Sequence, residues 1–217
     1  MSKRRFLTKN EISTLLMASL EGPNPERNNC LILMAFLHGF RASELLALNV
    51  ADLDLKGRVV YVSRMKNGFS TVHPLLPNEV ITLRRWLRVR RNIFNTGLAD
   101  DGRLFVTQKG HQLSRQQFYN ILSVTGKRAA LSLNPHPHML RHACGYALAD
   151  NGVDTRLIQD YLGHRNIRHT VRYTAANPAR FEGIWTSTKR RKGIQIEPKC
   201  YPLKLRRNSI QNFTLPQ

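Results

Sequence analysis

The sequence is poor in cysteine and in long hydrophobic runs, and each shortage excludes a class of protein. Its 217 residues include three cysteines, Cys30, Cys144 and Cys200, which are widely spaced and form no CxxC pair. A disulfide scaffold or a cysteine-based zinc knuckle is therefore not expected, and a reducing cytosol is the expected setting. Apolar runs such as 30–37 fall far short of the roughly 20 residues that a membrane span needs.

Acidic residues are also scarce. The chain has 14 Asp and Glu against 34 Lys and Arg, which gives a formal net charge of +20. Hydrophobic residues make up 41% of the chain, enough for a packed core, so wholesale disorder is excluded. A charge of this size on a globular chain indicates nucleic acid as the first partner to consider. Charge alone does not decide whether the protein binds, cuts or coats it.

The common catalytic signatures are missing as well. The sequence has no GxxxxGK[ST] loop, no GxGxxG, no HExxH and no GxSxG. Each of these motifs places a phosphate cradle, a zinc site or an activated serine in a known local structure. Nucleotide hydrolysis, dinucleotide redox chemistry and zinc proteolysis therefore lose most of their support.

Helix signals run through most of the chain. Thr8 and Glu11 form a capping-box pattern at the first helix. Asn24 and Pro25 predict an N-cap followed by proline at the start of an apolar, buried helix, which Gly39 ends. Further helices are predicted around 43–48, over 79–94 with Asn78 as the cap, from Ser114 towards 130, and over 137–150, 154–162 and 166–176.

Two β-branched segments predict a small sheet. Residues 58–62 and 70–73 flank Asn67-Gly68, a dipeptide that is typical of a tight hairpin. A further short strand is predicted over 104–107. The expected fold class is therefore α+β and mainly α-helical, with a small antiparallel sheet.

The chain divides into one domain and a tail. No linker separates two cores within 1–185, which we expect to be a single catalytic domain. The last stretch, 189–217, carries eight Lys and Arg against one acidic residue and three prolines. It predicts a basic C-terminal tail over 186–217, a solubilising end or a segment that docks on a neighbouring subunit.

A set of polar residues has side chains suited to phosphate chemistry. Pro137 suits a helix start, so His138 and Arg141, three residues apart, would share one face near the helix N-terminus, where anions bind. Arg41 follows the buried helix directly, an unusual place for a charge unless it faces a ligand. Lys66 stands at the tip of the predicted hairpin, where it could reach over a bound backbone.

A tyrosine completes the set. His164 follows a predicted helix end, and Tyr173 comes nine residues later on the next helix. In this order the pieces resemble the tyrosine recombinase (phage integrase) family, and the matching residues are Arg41, Lys66, His138, Arg141, His164 and Tyr173. A closer similarity, over about 3–185, is to the short type 1 fimbriae regulatory recombinases of that family, which invert DNA in phase variation. It is carried by the segments 66–75, 113–117 and 155–174.

The residue types suit phosphodiester exchange. A phenol has a pKa of about 10, so Tyr173 needs proton removal and a positive field to act as a nucleophile at neutral pH. Arg41 and Arg141 could bind the non-bridging phosphate oxygens, with His164 donating a further hydrogen bond. Lys66 is placed to protonate the 5′-hydroxyl leaving group, although Arg64 lies two residues away on the same hairpin.

We expect His138 to be the acid/base partner of the tyrosine. The resemblance implies the rest of the chemistry, a 3′-phosphotyrosyl link and a free 5′-hydroxyl, formed without ATP, metal or other cofactor. It implies a homo-tetramer on double-stranded DNA that inverts a promoter-bearing segment between short inverted repeats, with accessory DNA-bending proteins as possible partners. It further implies a single catalytic domain without a separate N-terminal clamp, acting in the bacterial cytoplasm at the nucleoid.

Other interpretations stay open at this point. A topoisomerase-like enzyme would use the same nick-and-reseal chemistry without partner exchange, and a non-catalytic DNA-binding regulator could retain the fold. His136, His138 and His142 are potential zinc ligands, but no cysteine or carboxylate lies near them in the sequence, so no metal site is predicted.

Arginines near the tyrosine are the first candidates for DNA backbone contact. Arg165, Arg168 and Arg172 surround the predicted tyrosine helix. Arg84 and Arg88 belong to an arginine-rich helix that is equally well explained as a solvated face.

Overall fold

The computed structural model describes residue 4 and residues 6–63 and 70–175, and this part consists of eight α-helices and one small sheet. The helices are α1 (Lys9–Leu20), α2 (Pro25–Leu37), α3 (Ala42–Ala47), α4 (Pro77–Phe94), α5 (Arg115–Arg128), α6 (Pro137–Asp150), α7 (Thr155–Leu162) and α8 (Arg168–Ala175). The strands are β1 (Leu53–Asp54), β2 (Val59–Val62) and β3 (Thr71–Pro74), and a 3-10 turn at Val50–Asp52 precedes β1. The predicted fold class is confirmed.

Several helices begin where the sequence predicts. Before α1, the Glu11 amide donates to the Thr8 hydroxyl over 3.3 Å and the Thr8 amide donates to the Glu11 carboxylate over 2.8 Å. Ser114 caps α5 with the same reciprocal box. At α7 the Asp154 carboxylate accepts from the Arg156 amide over 2.8 Å. These caps satisfy backbone N–H groups that a helix start leaves without partners.

One predicted cap is wrong, that of Asn78, and another, that of Asn24, is confirmed in position but makes no side-chain bond. Asn24 lies in the left-handed region at φ 53° and its side chain makes no capping bond, so the start of α2 rests on Pro25. Helix α4 begins at Pro77, so Asn78 lies inside its first turn, and the Leu76 amide donates to the Glu79 carboxylate over 3.3 Å. In both cases proline at the first helical position fixes the start because its φ is already helical.

Helix α8 begins two residues later than predicted. It begins at Arg168, where the Arg168 amide donates to the Asn166 side chain over 2.9 Å, so Asn166 precedes the helix. The predicted last residue, Ala176, lies outside the described residues.

The sheet has the order β1-β2-β3 and is antiparallel throughout. Val60 pairs with His73 and Tyr61 with Val72, as the predicted hairpin requires, whereas β1 was not predicted. The predicted strand over 104–107 is wrong, since this extended segment makes only isolated bridges. Its backbone is satisfied elsewhere, for example by the Trp86 indole, which donates to the Leu104 carbonyl over 2.9 Å.

Helix α2 lies at the centre of the main core, as its apolar sequence predicts, and its residues 30–32 are fully buried. A second, smaller apolar cluster joins α6, α7 and α8 and contains Cys144, Ile158, Leu162 and Tyr173. The predicted nucleophile is therefore part of a core. No helix in 6–63 or 70–175 combines the length and the apolar character that crossing a membrane requires.

Candidate active site

Arg41 lies at the N-terminus of α3, directly after the loop that ends α2. Its backbone amide donates to one oxygen of Glu44 over 2.9 Å, and its guanidinium donates to the other over 2.5 Å. A third bond, of 3.2 Å, reaches the Gly163 carbonyl at the end of α7. Because 40% of the side chain stays exposed, the guanidinium is fixed in direction and still accessible to an anion.

Arg141 is buried on α6 and holds two loops together. Its guanidinium donates to the Gly39 carbonyl, in the loop before Arg41, and to the Leu162 carbonyl over 2.7 Å, at the end of α7. The carboxylate of Glu44 lies 4.0 Å away, between the two arginines. One buried cation therefore sets the distance between the segments that carry Arg41 and His164.

His164 follows Gly163, whose φ of 66° ends α7 as the sequence predicts. Its Nδ1 lies 2.9 Å from the hydroxyl of Thr170 on α8. Burial, followed by the charges of Arg141 and Arg41, lowers the pKa of His164 to about 3, so the ring is neutral at pH 7. In the tautomer in which Nδ1 accepts from Thr170, the proton of the neutral ring is on Nε2, where it can be donated to a phosphate oxygen.

The ring of Tyr173 packs closely against the surface of α6 at Gly145. The residue is 1% exposed, and its ring packs on Tyr146 and His164 at centroid distances of 5.1 and 6.2 Å. Gly145 makes this possible, because a Cβ at that position would lie 2.6 Å from two ring carbons of the tyrosine. The phenol oxygen lies 2.9 Å from Nδ1 of His142.

Burial keeps the phenol of Tyr173 in its protonated form. It raises the pKa of Tyr173 to about 12, although Arg141 and Arg172 act in the opposite direction. Burial also lowers the pKa of His142 to about 4, so that ring is neutral at pH 7 and can accept the phenolic proton in a hydrogen bond. In this arrangement the tyrosine is protonated and is not activated as a nucleophile.

The sequence predicts His138, not His142, beside the phenol. His138 is exposed in the first turn of α6, and its ring meets His136 edge-on at 6.4 Å. His142 lies one helical turn further along, on the same face of α6. In the sequence His142 stands out only as a potential metal ligand, although its spacing of four residues from His138 is enough to place it beside the catalytic set.

The structure brings together four of the predicted site residues, Arg41, Arg141, His164 and Tyr173, and places His138 one turn from His142. Lys66 and its alternative Arg64 lie outside the described residues, as does the tail over 186–217. Glu44, whose carboxylate is buried between the arginines, is not predicted from the sequence.

The predicted DNA-contact arginines are all on the surface. Arg165, Arg168 and Arg172 are exposed before and along α8, and Arg84 and Arg88 are exposed one turn apart on α4. Arg90, in the same arginine-rich helix, is buried instead and is bound by the Asp100 carboxylate and the Arg103 carbonyl. It is a structural residue.

The histidine pKa values predict acid sensitivity. His142 and His164 have values of about 4 and about 3 in the folded protein, below the ordinary value near 6.5. As the pH falls, the unfolded chain binds protons first, so their contribution to stability is complete above about pH 6.5 and is lost progressively below it. We expect the urea midpoint of unfolding to be lower at pH 5 than at pH 7.5.

Between pH 7 and pH 5 the change in stability with pH comes from the histidines. Glu11 and Asp100 also have lowered pKa values, but their contribution is lost only near and below their ordinary values of 4.5 and 3.8. His142→Phe should therefore show a smaller fall in midpoint between pH 7 and 5 than the parent protein. An identical fall in the two proteins would contradict the assignment to His142.

Known proteins resemble the chain over most of its length. The phage integrase family profile matches residues 5–180. The type 1 fimbriae regulatory protein FimB of Escherichia coli K12 is 56% identical over 189 residues, which cover 87% of this chain and 93% of that protein. FimE of the same strain is 53% identical over 185 residues, 85% of this chain and 92% of the relative. The crystal structure of XerA recombinase matches with a TM-score of 0.70 at 25% identity, over 83% of this chain and 64% of that one.

Proposed function

Because the chain belongs to the phage integrase family, we propose that it is a site-specific tyrosine recombinase that inverts a promoter-bearing DNA segment and so controls fimbrial phase variation. The observation that carries the proposal is the convergence of Arg41, Arg141 and His164 at the C-terminal end of α7, where the His164 ring packs on the ring of Tyr173. The identity of 56% to FimB supports the fimbrial assignment.

The strand-cleavage step forms one bond and breaks one. The Tyr173 oxygen attacks the scissile phosphorus, the bond from phosphorus to the 5′-oxygen breaks, and a 3′-phosphotyrosyl link remains. Arg41 and Arg141 stabilise the extra negative charge on the non-bridging oxygens, and the Nε2–H of His164 donates to one of them. Reversal of the same step by a 5′-hydroxyl from the partner strand reseals the DNA.

Two protons must move during cleavage. The buried phenol has to leave His142 before it can reach a phosphate, since Tyr173 is 1% exposed in this arrangement. His138, exposed on the same face of α6, then takes the phenolic proton, and Lys66 delivers a proton to the 5′-oxygen. The phosphotyrosyl link conserves the energy of the phosphodiester bond, and no step of this scheme uses ATP or a metal ion.

Inversion requires four cleavages, two at each repeat, and each tyrosine attacks once. A homo-tetramer on two DNA sites supplies four such tyrosines. In this scheme residues 1–185 form the catalytic domain, the basic tail over 186–217 docks on a neighbouring subunit, and accessory proteins bend the DNA between the repeats. The site of action is the bacterial nucleoid.

A plasmid that carries two inverted repeats around a marked segment tests the proposal. The expected result is an inverted product together with a protein–DNA adduct that resists detergent and leaves a free 5′-hydroxyl. Relaxed plasmid with an adduct but no inversion would indicate a topoisomerase-like enzyme. Specific binding with neither adduct nor product would indicate a non-catalytic regulator.

Salt dependence tests the DNA-contact arginines. Each phosphate contact that is removed should lower the slope of log affinity against log salt by about one. We expect this from Arg168→Gln and Arg172→Gln, and from Arg84→Gln and Arg88→Gln if α4 contacts DNA. Lys127→Gln, on α5, is the control for loss of charge alone. A slope that none of the four arginine variants changes would exclude both helices from the interface.

A further inference from the structure

A polar network adjoins the loop that leads from α2 to Arg41. It joins four side chains, namely His38 at the end of α2, His73 on β3, Glu79 on α4 and Tyr161 on α7. His38 and Glu79 are each 1% exposed, His73 is 2% exposed, and Tyr161 is half-buried. Four different elements therefore meet through polar groups that are largely shielded from solvent.

Short polar contacts link the members of the network. Nε2 of His38 lies 2.7 Å from the Glu79 carboxylate, so it donates to that oxygen. Nδ1 of His38 lies 3.2 Å from Nδ1 of His73, and Nε2 of His73 lies 3.1 Å from the hydroxyl of Thr71. Both imidazole rings are thus fixed in orientation by neighbours on two sides.

Tyr161 joins this network to the backbone of the active-site loop. Its hydroxyl donates to the Leu37 carbonyl over 3.0 Å and lies 3.4 Å from Nδ1 of His38, while its ring stacks on His73 at 4.1 Å. Two residues further along, the Gly39 carbonyl accepts from Arg141. The backbone carbonyls of the residues before and after His38 are therefore both held, that of Leu37 by the phenol of Tyr161 and that of Gly39 by the guanidinium of Arg141.

The network members also stand next to the functional residues in the sequence. His38 precedes Arg41 by three residues and Tyr161 precedes His164 by three, in short segments that contain Gly39 at φ 57° and Gly163 at φ 66°. A displacement of His38 or Tyr161 is therefore passed on to the phosphate-binding groups. Apolar side chains would fill this space at a lower desolvation penalty, so the polar groups point to a requirement for defined geometry.

We propose that His38, His73, Glu79 and Tyr161 are positioning residues that set Arg41 and His164 for the scissile phosphate. This rests on the proposed recombinase function. The network binds no DNA itself, so its removal slows cleavage and leaves DNA affinity unchanged. A misplacement of about 1 Å in a phosphate-binding group is enough for a hundredfold loss of rate.

Two conservative variants separate this role from simple packing. Tyr161→Phe removes one hydroxyl and keeps the ring on His73, and His73→Phe keeps a stacked ring but removes both ring nitrogens. Tyr61→Phe, on the same hairpin and 50% exposed, is the matched control. The measurement is the single-turnover rate of adduct formation on a nicked oligonucleotide at saturating protein, at a temperature where every variant is fully folded.

We expect a loss of about tenfold for Tyr161→Phe and about a hundredfold for His73→Phe, with affinity within twofold of the parent protein. The control should be unchanged. A second substrate with a methylphosphonate at the scissile position lacks the negative charge that the arginines bind. On the methylphosphonate substrate, the rates of the variants should lie within about threefold of the parent rate, because the positioning of Arg41 matters less there.

Every other outcome contradicts either the positioning role or the proposed function. Equal losses on the phosphate and methylphosphonate substrates would mean that the network only maintains packing, and unchanged rates in both variants would remove any role. If His73→Phe fails to fold, Tyr161→Phe alone decides between these outcomes. Absence of an adduct with the parent protein on the phosphodiester would instead overturn the proposed function.

Discussion

Tyr173→Phe is expected to abolish covalent attachment to DNA, with a loss of roughly 10⁴-fold or more in cleavage rate, while affinity for DNA changes little. Removal of a nucleophile has effects of this size because no other group can form the covalent intermediate. The substitution removes only the phenol oxygen, and the ring still fills the space over Gly145. Adduct formation on labelled DNA and a parallel binding titration measure the two quantities.

Stability should fall slightly in this variant. The lost oxygen is the partner of His142 at 2.9 Å, and removing one partner of a buried hydrogen bond costs about 1–2 kcal/mol. Tyr146→Phe is the matched control, because Tyr146 packs on Tyr173 within the same cluster. Adduct formation at the parent rate by Tyr173→Phe would show that another residue is the nucleophile.

The second large effect is expected from Arg141→Gln, which should differ from Arg41→Gln in its effect on stability. Arg141→Gln is expected to lower the cleavage rate by roughly 10³-fold or more, as for other donors that act on developing charge. It should also destabilise the fold by about 3 kcal/mol or more, because a buried cation beside the Glu44 carboxylate is lost along with its bonds to two loop carbonyls. Urea unfolding and adduct formation, measured on the same preparation, give both values.

Arg41→Gln is expected to lower the cleavage rate without a comparable loss of stability. Its side chain is 40% exposed, and Glu44 would keep the Arg41 backbone amide and Arg141 as partners, so we expect a similar loss of cleavage with a smaller loss of stability than for Arg141→Gln. Lys127→Gln, at an exposed position of α5, controls for loss of charge. Equal destabilisation by Arg41→Gln and Arg141→Gln would contradict the assignment of loop-holding to Arg141.

The part of the site that the sequence predicts consists of residues whose local context is enough to identify them. Pro137 fixes the start of α6, so His138 and Arg141 fall on one face of it, and Gly163 ends α7 just before His164. Helix periods, caps and turn residues act over a few positions along the chain. The same local rules place β2 and β3 correctly around the hairpin.

Contacts between distant segments are what the sequence does not predict. Arg141 meets the Gly39 carbonyl across 102 positions, and Tyr161 meets the Leu37 carbonyl across 124. The role of Gly145 depends on a ring from another helix, and the segment 104–107 has strand-like residues but finds its backbone partners outside a ladder. Such features depend on packing, which local propensity does not encode.

The burial of Tyr173 also has a consequence for DNA that the protein meets by chance. In the mechanism that we propose, cleavage uses neither ATP nor a metal ion, so withholding either one would not prevent it. A subunit bound to a stray sequence would be able to break it whenever its nucleophile was available. If Tyr173 is that nucleophile, its burial and its pKa of about 12 would prevent attack until α8 is repositioned. The packing of the ring against Gly145 would then protect DNA from accidental strand breaks.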